Sequence, residues 1–472
     1  MFSLFTNSAS RSAHRRDLLK AGGLGLLGLS PLQSRIALAN ETELGRATAK
    51  RCIFIFLCGG PSQLEMWDPK PDAPEQVRGP FGAVETSAPG VRFGGLIPEV
   101  AKHADKLAVI RSMTHGSNSH DIGILYTLLA DSKPPTQRAY PPTREDHPGL
   151  GAILRAVLGE HPELPSWVIA PRPFTTGARY YKGQTAGLLG PSKDPFTLDL
   201  EKKHSLGDKD FDLTSLKLLD GIDRSRLRGR SGLLEQINDA RPIKSASVEQ
   251  LEQYYNKAYS MLASSGASRA FDVTREPNSV RDRYGRNEYG QSFLLARRLS
   301  EAGVRMVNVF WTLYGEDGCQ FNLWDNHGSD KKVCGGFNKG VDMLTAPYCC
   351  PAFDRAFSAL LDDLHQRGML DDTLVVVTGE FGRTPKMNKN AGRDHWSPCY
   401  SIALAGGGVQ GGQVYGASDR QAAYVQESPV RPEDVGATVL HAFGLAPETA
   451  VYDLSNRPVR ASKGQPITDL FG

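Results

Sequence analysis

The stretch Thr373-Leu-Val-Val-Val-Thr-Gly-Glu380-Phe-Gly-Arg383, followed closely by Gly392-Arg-Asp-His-Trp396, decides the fold. Its first part is an unbroken apolar and β-branched run, the pattern of a strand covered on both faces. The run stops at glycine and delivers a carboxylate, a guanidinium and then an Asp-His pair into loops. Open α/β sheets build polar sites in this way, because ligands gather at the carboxyl ends of parallel strands.

A run of the same kind is Arg51-Cys-Ile-Phe-Ile-Phe-Leu-Cys58, closed by Gly59-Gly-Pro61, and others cover 107–111, 167–170, 304–310 and 400–405. Helical patterns lie between them at 122–130, 149–158, 291–302 and 353–367. This alternation predicts an α/β fold with a mostly parallel sheet between helices. Residues 205–281 are charged and helical in period, without β-rich runs, and are read as a helical insertion or cap. The polar, proline-rich stretch 132–148 is expected to be a long surface loop serving as a lid or rim.

The 472 residues, 40% hydrophobic and 23% charged, are ordinary for a globular chain. Of the formal charge of +3, a net +4 lies in the first 39 residues (Arg11, Arg15, Arg16, Lys20 and Arg35 against Asp17), leaving the remainder near −1. No broad basic face for a nucleic-acid backbone is expected. Residues 1–39 read as a twin-arginine signal peptide. His14-Arg-Arg-Asp-Leu-Leu-Lys20 precedes an apolar, glycine-rich run at 21–32 and the small-x-small site Ala37-Leu-Ala39. The run is shorter than the ~20 residues of a membrane span. Export to the periplasm or beyond is therefore expected, with 40–472 as the mature domain and no stable membrane span after processing. The seven cysteines (52, 58, 319, 334, 349, 350 and 399) are odd in number and lack a Cys-x-x-Cys pair, which argues against a disulfide scaffold or zinc knuckle. Cys319 and Cys334 flank a loop and are one pair able to bridge.

The segment from Phe353 to Glu380 resembles a signature of the alkaline phosphatase and sulfatase superfamily, in which a helix leads through a Gly-x-Leu-x-x-Thr turn into a strand tipped with metal ligands. More narrowly, the chain is similar to an exported, sulfatase-like family that carries only a domain-of-unknown-function label. The landmarks, in order, are Gly59-Gly-Pro-Ser62, Trp67-Asp-Pro-Lys70, Arg111-Ser-Met-Thr-His115, Gly187-Leu-Leu-Gly190, Tyr284-Gly-Arg286, Gly290-Gln-Ser292, Leu295-Ala-Arg-Arg-Leu299, Trp324-Asp-Asn-His327, Gly379-Glu-Phe-Gly-Arg383 and Gly392-Arg-Asp-His-Trp396. The resemblance implies hydrolysis of phosphate or sulfate esters at one or two hard cations, through a Ser, Thr or modified Cys nucleophile. No Cys-x-Pro-x-Arg pattern occurs, so formylglycine chemistry is not expected.

Asp325 and His327, two apart on extended backbone, point to the same side and can reach one ion. Alternatively, they belong to a polar turn. Carboxylate oxygen with imidazole nitrogen suits zinc, manganese or iron better than calcium. The resemblance places Glu380 at an aspartate ligand, but it places Phe381 at the partner histidine and Cys58 at the first metal-binding aspartate. One ion is therefore expected rather than two. Arg383, with forked donors, suits a tetrahedral oxyanion, or else pairs with Glu380 to brace the loop. His395 resembles the late histidine ligand, with Asp394 as a further ligand or the group orienting its ring. Lys386, Lys389 and Arg393 either attract an anionic substrate or form a solvated face.

The stretch Arg111–Asp121 runs into a helix, where free N–H groups and the dipole favour an activated nucleophile or an oxyanion. Thr114, Ser117 and Ser119 are the hydroxyls there, and His115 and His120 the bases or ligands. Helix capping explains such hydroxyls equally well. Two functions follow as expectations. One is a metal-dependent hydrolase acting on an anionic small-molecule or glycan ester. The other is a non-catalytic surface protein binding anionic glycans or a partner on a degenerate hydrolase fold.

Overall fold

The computed structural model describes residues 47–198, 223–240, 255, 259–261, 264–314, 320–328 and 340–472. The signal-peptide reading, the Cys319–Cys334 pair and nearly half of the 205–281 insertion lie outside them. Within the insertion, helices are described at Arg224–Ala240, Ser265–Phe271 and, crossing its end, Asn278–Tyr284.

The central sheet has eight strands. In chain order they are β1 (Arg51–Leu57), β2 (Leu107–Met113), β3 (Trp167–Ala170), β4 (Phe196–Thr197), β5 (Met306–Trp311), β6 (Thr373–Thr378), β7 (Tyr400–Ala405) and β8 (Gln413–Tyr415). Across the sheet they run β8-β2-β7-β6-β1-β5-β3-β4. All neighbours pair in parallel except at β7, which runs antiparallel to both β6 and β2. The expected mostly parallel α/β fold is present. The short edge strands β4 and β8 and the reversal of β7 were not legible in the chain: β7 carries the same apolar run as its parallel neighbours.

Five helices cover the two faces: α1 (His120–Leu129), α2 (Leu150–Leu158), α3 (Glu288–Glu301), α4 (Cys350–Gln366) and α5 (Pro432–Ala442). Side chains alternate along a strand, so β1 sends Ile53, Ile55 and Leu57 into the core under α3 and α4, and Cys52, Phe54 and Phe56 into the core under α1, α2 and α5. Both cores are closed, which explains why β1, β5 and β6 read as continuous apolar runs. Stretch 132–148 contains no regular element and forms a loop, as expected.

This topology gathers the candidate loops. The carboxyl ends of β1, β2, β5 and β6 lie on one rim and lead to residues 58–60, 114–120, 320–328 and 379–383. The reversal of β7 brings its amino end, preceded by His395, to the same rim. Gly59 allows a close backbone approach at this rim: at φ +116°, a Cβ there would lie 2.6 Å from the Asp325 amide nitrogen. The carbonyl of Cys58 accepts from the Trp324 N–H at 3.1 Å, fastening the Asp325 loop to the end of β1.

Candidate metal centre

Ligand-type atoms of His120, Asp325 and His395 all lie within 4.8 Å of one another. They come from three separate loops. His120 opens α1, Asp325 follows the turn after β5, and His395 lies in a two-stranded ribbon with Gly382–Arg383 that precedes β7. Asp325 is the hub. Its Oδ1 is 2.6 Å from Arg383 Nη2 and 3.1 Å from His395 Nε2, and its Oδ2 is 3.3 Å from both His120 Nε2 and His327 Nε2.

Each imidazole is held by its other nitrogen. His120 Nδ1 is 2.6 Å from the buried Glu380 Oε1, and that carboxylate also accepts from the Gly59 N–H at 2.9 Å. His120 Nε2 is buried and, despite its distance to Asp325, makes no aligned hydrogen bond. His395 Nδ1 is 2.9 Å from the Asn118 carbonyl, an acceptor only, so this nitrogen carries the proton in the neutral ring. That leaves the Nε2 lone pair facing a carboxylate oxygen. Two acceptors facing one another are stabilised by a shared cation. Two imidazoles held this way by a carboxylate and a carbonyl, with one carboxylate, match the donor set and outer support of zinc-type sites.

The electrostatics agree. Burial pulls the His120 pKa down, but Asp325 and Glu380 together outweigh it and raise the ring to about 9. Burial pulls His395 below the usual histidine value, offset only in part by Asp325. Burial disfavours the charge of Asp325, yet Arg383 and the three histidines hold its carboxyl well below the usual range.

Several expected roles change. Glu380 does not join the group of convergent ligands; it orients His120 instead. Arg383 is fully buried and does not pair with Glu380. Its Nε donates to the Gly60 carbonyl at 2.9 Å, Nη1 to that of Arg393 at 3.1 Å, and Nη2 to Gly59 and to Asp325. Its donors are thereby engaged by the protein, leaving little for a substrate oxyanion. Asp394 is exposed and accepts from the Asn388 side chain at 3.0 Å, while Asn118 rather than Asp394 orients the His395 ring. Arg393 is not a solvent-facing cation: it is buried against the buried Glu65, with Nη2 2.6 Å from Oε1, whereas Lys386 and Lys389 are exposed.

His115 is locked away from base chemistry. Its Nε2 is 2.5 Å from the Glu380 carbonyl, its Nδ1 accepts from the Ser117 N–H at 3.2 Å, and burial lowers its pKa. The Ser117 hydroxyl accepts from the Ser119 N–H, and the Thr114 N–H donates to Val430. Among the described residues, neither the Thr114 nor the Ser117 hydroxyl bonds to the cluster. Cys58 is buried with its thiol against Asn322, as a structural thiol would be. Phe381 packs against both imidazoles, with ring centroids 5.0 Å from His120 and 4.8 Å from His395, while the two imidazoles meet each other directly at 4.2 Å. As expected of a phenyl ring, Phe381 offers the cluster packing and no ligand atom.

Three supports of the cluster are not marked by any motif in the chain. Gln63 is fully buried and clamps the Arg383 backbone, accepting from its N–H and donating to its carbonyl, both at 2.9 Å. Glu65 anchors Arg393, and Asn118 holds His395. Gln63 and Glu65 alternate with Leu64, Met66 and Trp67, and polar residues interleaved with large apolar ones signal burial with partners.

The chain is thus a mostly parallel α/β protein with a two-histidine, one-carboxylate cluster at the sheet's carboxyl rim. It belongs to the family described as "Protein of unknown function (DUF1501)", whose pattern it matches over residues 49–471. No curated protein matches it. Among solved structures it is similar to the PsFucS1 sulfatase from Pseudoalteromonas sp., at 14% identity over 88% of this chain and 72% of that one, with a TM-score of 0.34. It is also similar to a Bacteroides thetaiotaomicron protein described under the metabolism of multiple glycosaminoglycans, at 11% identity over 84% and 72%, TM-score 0.36. A third is the C-terminal periplasmic domain of EcEptC from Escherichia coli, in complex with Zn, at 9% identity over 90% and 96%, TM-score 0.34.

Proposed function

We propose that this chain is an exported, metal-dependent hydrolase of phosphate or sulfate esters that holds one divalent ion, zinc, manganese or iron, on His120, Asp325 and His395. The observation that carries the reading is the unpartnered Nε2 of buried His120 and the Nε2 lone pair of His395, both directed at one carboxylate. Such an ion, when bound, supplies Lewis acidity to an ester oxygen. The chain's own residues prepare the place. Glu380 and the Asn118 carbonyl take the Nδ1 protons and leave Nε2 to coordinate. Arg383 keeps Asp325 ionised and stands as a fixed positive charge where a second ion would otherwise be needed. Phe381 covers one side of the imidazole pair with an apolar ring. His327, beside Asp325, is the candidate fourth ligand. Among the described residues no helix is long and apolar enough to cross a membrane. Residues 1–39 support twin-arginine export to the periplasm or beyond.

The engagement of Arg383 by protein acceptors, with no hydroxyl of Thr114 or Ser117 on the cluster, favours a second reading: a metal-supported binder of anionic glycans without turnover. One experiment separates them. Purified protein is analysed for bound metal and assayed on chromogenic phosphate and sulfate esters, beside a His120→Ala/His395→Ala variant. One equivalent of metal with turnover, both lost in the variant, supports the hydrolase. Metal without turnover supports the binder, and no metal in either protein removes both.

A further inference from the structure

A second charged feature adjoins the centre. Asp121 follows His120 in the first turn of α1, and its carboxylate is taken up by two phenols, Tyr140 at 2.9 Å and Tyr181 at 2.8 Å. Their rings meet edge to face at 5.6 Å. Tyr181 is buried, stacks on Phe174 at 4.8 Å, and Phe174 stacks on Phe310 of β5 at 5.3 Å. Asp121 and Glu380 both act, behind burial, to raise the Tyr181 phenol pKa, so this ring lies within electrostatic reach of the centre. The Lys182 N–H donates to the Ala139 carbonyl at 2.8 Å, tying the 132–148 loop to the small hairpin of Thr175–Thr176 and Arg179–Tyr180.

On this rigid support lies Arg179. Its guanidinium carbon is 4.2 Å from the Tyr140 ring centroid, the residue is exposed, and among the described residues it forms no ion pair. The nearby acid, Asp121, has both oxygens engaged by phenols. A guanidinium held over a ring is pre-ordered, keeps forked donors free at its edge, and loses less freedom on binding an oxyanion than a loose lysine does. The arrangement places a fixed, uncompensated cation one aromatic side chain away from the residue after His120.

We propose that Arg179, seated on Tyr140, is a subsite for a second oxyanion group, so that the ligand of this centre is a polyanion carrying at least two sulfate, phosphate or carboxylate groups. The term substrate for that ligand rests on the hydrolase reading; the subsite itself does not. The first group occupies the centre, and the second is held by the Arg179 fork.

The probe is a fluorescent dextran sulfate oligomer, with uncharged dextran of the same length as its counterpart, titrated at fixed salt into the full mature chain. Arg179→Ala is expected to weaken dextran sulfate binding at least tenfold, with Arg179→Lys between it and the wild type. Lys50→Ala removes an exposed cation at the opposite, amino end of β1 and is expected to change binding less than twofold. Circular dichroism melts check that the variants fold. Independently, phenylglyoxal labelling of wild-type Arg179, read by peptide mass spectrometry, is expected to be suppressed by dextran sulfate and not by dextran. Unchanged binding in Arg179→Ala, an equal loss in Lys50→Ala, or unprotected labelling overturns the subsite. Metal content and ester turnover of the wild type are read in parallel. If both are nil while Arg179-dependent binding persists, the subsite stands and the hydrolase reading falls. Metal and turnover with Arg179-indifferent binding remove the subsite alone.

Discussion

Glu380 Oε1 lies 2.6 Å from His120 Nδ1, and this contact divides the labour of the ring. One nitrogen is spent on a buried carboxylate, and the other is turned towards Asp325. Glu380 is itself held by the Gly59 N–H at the end of β1, so the orientation of His120 is inherited from the sheet. Glu380→Gln keeps the shape but loses the charge and weakens the hold on the Nδ1 proton. Zinc affinity, measured by calorimetry, is expected to fall roughly 10–100-fold, the usual cost of an outer-shell change. An unchanged affinity would show that Glu380 does not set the ring.

Zinc binding should appear as thermodynamic stabilisation. A ligand that binds only the folded chain adds about 2.7 kcal/mol at a hundredfold excess over its Kd. Thermal melts of wild type should therefore shift upward with added zinc, manganese or iron(II), and His395→Ala should abolish the shift. A shift that survives this substitution would place the ion elsewhere.

Arg383 has no exposed surface and satisfies three backbone carbonyls together with Asp325. Arg383→Met removes the cation and strands Asp325 among acceptors. Breaking a buried pair from one side costs about 3–5 kcal/mol. Lysine, lacking the fork, should recover only part of it. Urea unfolding measures the difference, and a loss below about 1 kcal/mol would contradict a buried pair of this kind.

A pH effect is expected outside the cluster, at Asp354 on α4. Its carboxylate accepts the Val100 and Glu99 N–H groups at 2.8 and 3.0 Å, yet burial outweighs those bonds and raises its pKa to about 6. The folded chain therefore holds this proton more tightly than the unfolded chain. Its contribution to stability is complete below pH 3.8 and is lost as pH rises through about 6. Asp354→Asn should flatten the stability profile across that window. Parallel profiles for wild type and variant would exclude the effect.

The six longer strands of the sheet and most helices can be read from the chain because period and length survive in a linear pattern, whereas the short edge strands β4 and β8 cannot. β1, β5 and β6 are continuous apolar runs, since both of their faces are covered. The 114–120, 325–327 and 395 loops were recognisable because polar, chemically able residues directly follow or precede such runs. Glu380 and Arg383 were identified as important, but their tasks were not. A carboxylate after a strand can ligate or orient, and which it does depends on whether another ring lies beside it.

The linear pattern therefore carries the α/β layering and the polar loops that flank the apolar runs, since both follow from local hydrophobic period and length. Which of those groups meet at the rim is set by the folded chain alone. The reversal of β7 carries His395 to the rim. Gly59 lets the Asp325 loop close onto β1. Buried Glu65 and Gln63 withdraw Arg393 and Arg383 from solvent. These are contacts between residues up to several hundred positions apart, and their geometry is set by packing and charge compensation in three dimensions, which a one-dimensional pattern does not encode.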